Sequence, residues 1–545
     1  MVEACERPGA KLRCGVAADG IAINMDPGRH TLTSPDGARR SRLRTLALTH
    51  WPFIPALAVI TTTCLRPVVA TDMWLHLAVG RQIVRERAIP ATDTFSHTAP
   101  GQPFVPHEWL SQVLLYSVHE IGALNALVAL KLLLVGAAFA LLYWLAYLRS
   151  AEPLVAAALV ALAIFPCGLY LDYRPTMFSL VILAALLLQL ERLRACGVQW
   201  ARWLPFVAAS FAVWGNLHGA AMAGLAILAA VFVVEGLGRW IGAGDDAGRR
   251  QQVRAVGVAL PIAAAALCLN PQGPNALWYG AWLATSDPAL QHIREWQSPD
   301  FQAWETRAIE VTLLLAIALL AVVRGPRRLS DIALLLLLAH ATLISQRHGA
   351  LFAVVAVPAY AGMTRRALQQ VRSRLGSDWR RVVRPVLLAA FLAACAMYTF
   401  ARRPSAADVA ETAMGLSHLP VEAARYLKAH PPAGNGYNLY EWGGYLMWEA
   451  PDVPVFIDGR ADLYYKGPFN EYLKALRGAH QWRAIFRRYD VRWALIAPRT
   501  PLRSTLARAG WREVYRDAVA VIAVAPSRPT IQGSGAQIDT ISRDR

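Results

Sequence analysis

The stretch GALNALVALKLLLVGAAFALLYWLAYL, residues 122–148, decides the class of this protein. It exceeds the ~20 predominantly apolar residues that an α-helix needs to cross a bilayer's hydrocarbon. Comparable runs lie near residues 48–70, 153–170, 176–190, 203–218, 219–238, 255–270, 308–323, 331–346, 349–364 and 385–400. Together they predict about eleven spans, with soft boundaries where a run falls short of ~20 residues. Composition agrees: 55% of the 545 residues are hydrophobic and 17% charged, and the mean hydropathy is +0.33. A chain this apolar finds its natural solvent in lipid.

The formal charge of +18 does not signal nucleic acid. The arginines form short clusters between apolar runs, as in positive-inside loops, and no basic, aromatic-interleaved stripe appears. Arg39, Arg40, Arg42 and Arg44 precede the first span, and alternate linkers hold Arg192/Arg194, Arg249/Arg250/Arg254, Arg324/Arg327/Arg328 and Arg365/Arg366/Arg372/Arg374. These linkers are expected in the cytoplasm, which places the remaining linkers and everything after residue 400 on the opposite side. Residues 1–45 read as a disordered cytoplasmic tail without a cleavable signal peptide, 46–400 as the transmembrane domain, 401–526 as a periplasmic α/β domain and 527–545 as a disordered tail. There is no CxxC pair, and the C-terminal domain has no cysteine.

The outer linkers hold the residues of interest. In the first, 71–108, the apolar spacing of Trp74, Leu77, Ala78, Ile83 and Val84 predicts an amphipathic interfacial helix, and residues 108–121 a second surface helix before the next span. Asp72 and His76, four residues apart, share a helix face. Asp72 could equally cap the helix. Asp93, His97, His107 and Glu108 add acids and imidazoles to the same loop, suited to general base work or, for Asp72, His76 and Glu108, to holding a divalent ion such as Mg or Mn. No motif as specific as HExxH is present.

Arg174 in LDYRPT, and Arg347 and His348 in SQRHG, stand at outer span ends. They read either as snorkelling cations or as a clamp for a lipid phosphate. His218 in WGNLHGA reads as a satisfied interfacial histidine beside Asn216. After Tyr398 the composition becomes that of a soluble domain. Helices are expected at 421–429, 471–476, 482–488 and 502–509, and strands at 436–440, 453–457, 493–497 and 518–525, which makes a small α/β sheet. Within it, Glu441 and Trp442 of YEWGGYLMW and Asp458 and Arg460 of FIDGRADLYY suit sugar recognition, or an ordinary core and turns.

The motif D-x-W-x-H-L-x-x-G-R, continuing through IPATDTFSHTAPG to HEWL, together with WGNLHG, HIREWQSPDF, SQRHGALF, YEWGGYL and FIDGRADLY, resembles a bacterial family of glycosyltransferase-like proteins in the GT-C superfamily. The resemblance covers about residues 45–525. It implies a GT-C-like helical membrane domain and a transferase that takes sugar from a polyprenyl-phosphate donor in the bacterial inner membrane. A glycan, lipid or protein at the outer face would be the acceptor. Asp72 matches the acidic residue that such enzymes present directly after the first span, where it serves as general base or anchors the acceptor. Arg174, Arg347 and His348 become donor-phosphate candidates, and His76, Asp93, His107 and Glu108 a second layer or metal site. Glu441, Trp442, Asp458 and Arg460 belong to an acceptor-receiving domain. A DxD motif and a lysine-proline pair in the loop are absent, so the donor sugar does not carry over.

A transporter or lipid flippase would predict internal repeats and ionisable residues near the midplane. No repeat is seen, and the ionisable residues singled out here lie near span ends. A non-catalytic envelope scaffold differs from the enzyme only around Asp72.

Overall fold

In hydrocarbon every backbone N–H and C=O must find a partner within the chain, so the apolar runs are helices. The computed structural model describes residues 47–66, 71–168, 171–242, 247–278, 293–325, 327–376, 379–403, 415–465 and 467–526; the expected tails lie outside them. The membrane domain comprises α1 (Phe53–Cys64), α2 (Thr71–Glu86), α3 (Trp109–Ser150), α4 (Pro153–Gly168), α5 (Thr176–Cys196), α6 (Trp200–Leu217), α7 (Ala221–Trp240), α8 (Ala247–Leu267), α9 (Arg307–Val322), α10 (Leu329–Ile344), α11 (Gly349–Leu375) and α12 (Arg384–Ala401).

Among the described residues, four helices are long and apolar enough to cross a membrane: α3, α5, α7 and the segment Arg381–Ala401 that contains α12. The apolar α1, α4 and α10 are shorter. This is a membrane protein, and among the described residues four of the about eleven expected crossings meet that length and apolarity. The 12 residues of α1 reach only ~18 Å at 1.5 Å per residue. Arg249, Arg250 and Arg254 interrupt the apolar character of α8, and Arg365 and Arg366 that of α11.

Helix α3 is two helices in one. At Gly122 (φ −156°, ψ 28°) and Ala123 (φ 50°, ψ −142°) the chain leaves helical geometry. Before the break it buries Ser111, Gln112, Leu115 and Tyr116, one face of a surface helix; after it comes the stretch quoted first. The break lies where the sequence turns from a polar, one-faced pattern to an apolar one.

The far end of α3 anchors an ion-pair network. Arg149 bonds Glu191 of α5 at 3.0 Å and pairs with Asp331 of α10, while Arg328 grips Glu191 through Nη1 at 2.5 Å and Nη2 at 3.0 Å. Glu235 of α7 accepts from Arg194 at 3.1 Å, Arg249 at 2.7 Å and the Ser330 hydroxyl at 2.6 Å. Several linker arginines are thus tied to carboxylates, which offsets the desolvation that buried charges would otherwise suffer. This network gathers the arginine-rich ends of α3, α5, α7, α8 and α10 together, so the polar residues at their other ends also meet.

The C-terminal domain comprises α13 (Val421–Ala429), β1 (Asn435–Asn438), α14 (Tyr440–Glu449), α15 (Pro468–Leu476), α16 (Trp482–Arg488), β2 (Val491–Ile496), α17 (Pro501–Arg508), β3 (Arg512–Arg516) and β4 (Val521–Val524). The sheet order is β1-β2-β4-β3, with β1 parallel to β2 and both other pairings antiparallel. Residues 453–457, expected as a strand, form none. Val455 makes one isolated bridge to Ser96 of the first outer loop, because that loop occupies its edge. The strand β3 was not foreseen, since REVYR offers no buried face.

The domain is bonded to the outer loop. His97 N–H donates to the Val455 carbonyl at 3.1 Å, Val455 N–H to Phe95 at 3.0 Å, and the Thr98 hydroxyl to the Phe456 carbonyl at 2.6 Å. Arg460 reaches Asp93 at 2.6 Å and Asp458 at 2.6 Å, and all three side chains are buried. Arg81 of α2 donates to the last-turn carbonyls Met447 and Trp448 of α14, each at 2.9 Å. At Gly444 a side chain would put Cβ 2.9 Å from Leu75 N and 3.1 Å from Thr71 O, so only glycine lets α14 lie this close to α2. Removing one partner from a buried ion pair strands the other's charge. Arg460→Ala should therefore cost about 3–5 kcal/mol and open the 93–98 loop to limited proteolysis; an unchanged melting point and digestion pattern would show that the pair does not hold the domain.

Candidate functional site

Asp72 lies in the first turn of α2, where a carboxylate suits the helix dipole. Its side chain nevertheless faces across the bundle: Oδ2 is 3.2 Å from Arg174 Nε. Arg174 stands in the short link between α4 and α5, with Asp172 two residues before it and in direct ion pair with the same nitrogen. Arg174 Nη1 donates to Glu295 at 2.7 Å. Three carboxylates from three separate linkers thus meet one guanidinium.

The position of Glu295 is itself built. Its segment turns through a 3₁₀ helix, Arg294–Trp296, and is stitched to the link between α10 and α11. Gln346 N–H donates to the Gln297 carbonyl at 2.9 Å and the Ser345 hydroxyl to the Glu295 carbonyl at 3.1 Å. Arg347, in that link, lies 4.0 Å over the Trp296 ring, a cation–π contact. His348 Nδ1 is 3.2 Å from the carbonyls of Ala341 and Ser345.

Electrostatics separate the members of this centre. Burial works against the charge on Arg174, but Asp172, Asp72 and Glu295 outweigh it and hold the guanidinium protonated. Burial pushes Asp172 up to about 7 despite the pull of Arg174, with Glu295 and Asp72 adding repulsion. A buried carboxyl near neutrality can hold or release a proton at working pH.

The soluble domain closes over the centre. Gly459, in the FIDGRAD segment, lies so near that a Cβ there would be 2.8 Å from Asp72 Oδ1. The Tyr440 hydroxyl donates to the Gly459 carbonyl at 3.3 Å, and burial with the charge of Asp72 keeps that phenol protonated.

A second cluster adjoins. Glu108 meets three histidines: His218 at 3.6 Å, His107 at 3.7 Å and His76 at 3.9 Å, each through Nε2. Behind them, His218 Nδ1 and the Ser179 hydroxyl are 2.7 Å apart, Trp214 donates to that hydroxyl at 2.7 Å, and Gln112 Nε2 is 3.4 Å from His76 Nδ1. Asn216 is satisfied by Trp109, Ala212 and Leu269.

The residues singled out from the sequence therefore divide. Asp72, Arg174, Arg347 and His348 gather around Glu295 and its segment, and His76 and His107 around the carboxylate of Glu108. Asp93 does not join them. It caps its own turn, accepting from Phe95 N–H at 3.2 Å, Ser96 N–H at 3.1 Å and the Ser96 hydroxyl at 2.6 Å, and pairs with Arg460. Asp458, Arg460 and Trp442 are buried, while Glu441 is exposed. The metal set of Asp72, His76 and Glu108 does not assemble, because Asp72 turns to Arg174 while His76 and Glu108 turn to each other. Among the described residues no group of three or more His, Cys, Asp or Glu could hold a metal ion. Asp172, Glu295 and Ser179 were missed; Asp172 and Glu295 stand beside arginines in motifs already quoted, which was their only signal.

No protein-family model and no curated protein matches the chain. Solved structures similar to it include the oligosaccharyltransferase of Archaeoglobus fulgidus in its apo form, 13% identical, covering 82% of this chain and 69% of that one with a TM-score of 0.47. Another is the archaeal oligosaccharyltransferase AglB from Archaeoglobus fulgidus in complex with an inhibitory peptide and a dolichol-phosphate, 11% identical over the same shares, also at 0.47. At that level the likeness is one of coarse chain course, and the chemistry rests on this chain's own residues.

Burial lowers His76 to about 4, against the opposing charge of Glu108. The folded protein thus takes up fewer protons than the unfolded one below the ordinary histidine value of 6.5, and stability contributed by the neutral ring is lost as pH falls from 6.5 toward about 4. At about pH 5 this amounts to about 2 kcal/mol. The melting temperature of His76→Gln should fall less between neutral and acidic pH than that of the parent; parallel curves would mean His76 is not held neutral.

Proposed function

We propose that this protein is a membrane glycosyltransferase that moves a sugar from a polyprenyl-phosphate donor to a glycan, lipid or protein acceptor at the outer face of a bacterial inner membrane. The observation that carries this reading is the convergence of Asp72, Asp172 and Glu295 on Arg174, at the bundle end away from the linker-arginine network and directly beneath a docked soluble domain. The arginines that hold the bundle and the domain together, Arg149 and Arg460, each take two acids; Arg174 takes three. Three acids drawn from separate linkers, one of them near-neutral in pKa, are what acid–base chemistry at a membrane edge calls for.

In the proposed reaction the acceptor's nucleophilic atom forms a bond to the sugar's anomeric carbon. The bond from that carbon to the phosphate oxygen breaks, the electron pair leaves with the phosphate, and configuration inverts. Asp72 takes the acceptor's proton. Arg347 and His348, on the link before α11, take the departing phosphate, and Arg174 holds Asp72 in place. Glu108 and its histidines line the acceptor side, and exposed Glu441 offers the domain's contact to the acceptor. No step is assigned to a metal. The gathering of these ionisable groups at one bundle end does not favour a flippase, whose ionisable groups belong near the midplane.

Transfer by purified protein from lipid-linked sugar to envelope acceptors tests this. Asp72→Asn should lose at least about 100-fold in rate, the scale of a general base, with folding and insertion intact. The parent's rate should rise through about pH 7 as Asp172 ionises and re-forms its pair with Arg174, and Asp172→Asn should lack that limb. Unchanged transfer in Asp72→Asn would remove the assignment.

A further inference from the structure

We propose that Arg174 is a built-in replacement for a divalent cation, so that this centre works with a covalently attached positive charge and takes no metal. The inference rests on the transferase reading for its consequence, metal-independent transfer, but its geometry stands apart from it.

Three carboxylates that converge repel one another and need a cation among them. Elsewhere in proteins such oxygen-rich nests take Mg²⁺ or Mn²⁺. Here the acids aim at a guanidinium instead: Nε faces Asp72 at 3.2 Å and pairs with Asp172, and Nη1 holds Glu295 at 2.7 Å. Arg174 comes from the same short link as Asp172, so it is delivered with one of its own counter-ions. An ion that reached these oxygens would stand beside a guanidinium that cannot deprotonate, and their repulsion would oppose binding. The alternative donor set nearby does not compete, since Glu108 and its histidines lie among residues with no metal-holding arrangement.

The replacement has a function as well as a cost. A fixed guanidinium orients Asp72 without depending on metal supply, whereas a divalent ion would also offer open coordination positions to a phosphate. Arg174 is thus a positioning residue, acting on the acceptor through Asp72.

Mn²⁺ binding, read by loss of the free-ion paramagnetic resonance signal, tests this on the full chain in detergent after chelator stripping. The parent should show no saturable binding in the millimolar range. Arg174→Ala should gain a site roughly tenfold or more tighter, since affinity follows the count of uncompensated carboxylates, and adding Asp172→Asn should abolish the gain. Arg174→Met keeps the aliphatic bulk and should behave like Arg174→Ala, while Arg174→Lys should stay like the parent. Saturable binding by the parent that Asp172→Asn removes would overturn the proposal, as would an Arg174→Ala protein that binds no better than the parent. If neither neutral variant folds, the parent alone decides: binding that Asp172→Asn removes overturns the proposal, and none upholds it. The binding is read without donor or acceptor, so it succeeds or fails separately from sugar transfer. Where transfer is observed, chelator should leave its rate unchanged.

Discussion

The guanidinium of Arg174 makes the greatest demand on this structure. It is half-buried at a membrane edge, where a cation withdrawn from water needs close counter-ions. The pairing is bought with chain: α2 must begin where Asp72 can reach it, the link after α4 must present Asp172, and the segment around Glu295 must return across the bundle. The last condition explains the stitching of that segment to the link before α11 through Gln346 and Ser345. The ion pairs of Arg149, Glu191, Glu235 and Arg328 at the other bundle end complete the arrangement, since they align the helices whose opposite ends carry these linkers.

The soluble domain extends the same logic upward. Its approach to α2 depends on a missing side chain at Gly444, and its approach to Asp72 on another at Gly459. Arg81 then ties the end of α14 to α2, and Arg460 ties the FIDGRAD segment to Asp93. The domain is fixed over the centre by backbone contact and buried charge. Two roles that looked alike in sequence separate here: Asp93, Asp458 and Arg460 hold the roof, while Asp72, Asp172, Glu295 and Arg174 form what lies under it.

Local pattern made much of the fold legible. The periodicity of Val421–Ala429 and Trp482–Arg488 marks both helices at their observed limits, and the change of pattern at Gly122 marks the bend in α3. What failed was decided at long range. Residues 453–457 have strand composition, but pair only at Val455 because loop residues 95–98 take their edge. The expected spans whose apolar runs are short or hold arginines do not reach full-length, uninterrupted apolar helices. In the site, Asp72 was legible from its place after the first span. Glu295 was not, because its partner lies 121 residues away and nothing local distinguishes it from a solvated acid.

The step proposed for this centre is the departure of a sugar from a lipid phosphate beneath the C-terminal domain. Mass spectrometry of polyprenyl-linked sugars and surface glycans, in cells lacking the chain and in cells with it restored, tests that most directly. With the chain absent, one lipid-linked sugar should accumulate and one glycan lose that sugar, and both profiles should return when it is restored. Identical lipid and glycan profiles in the two strains would contradict it.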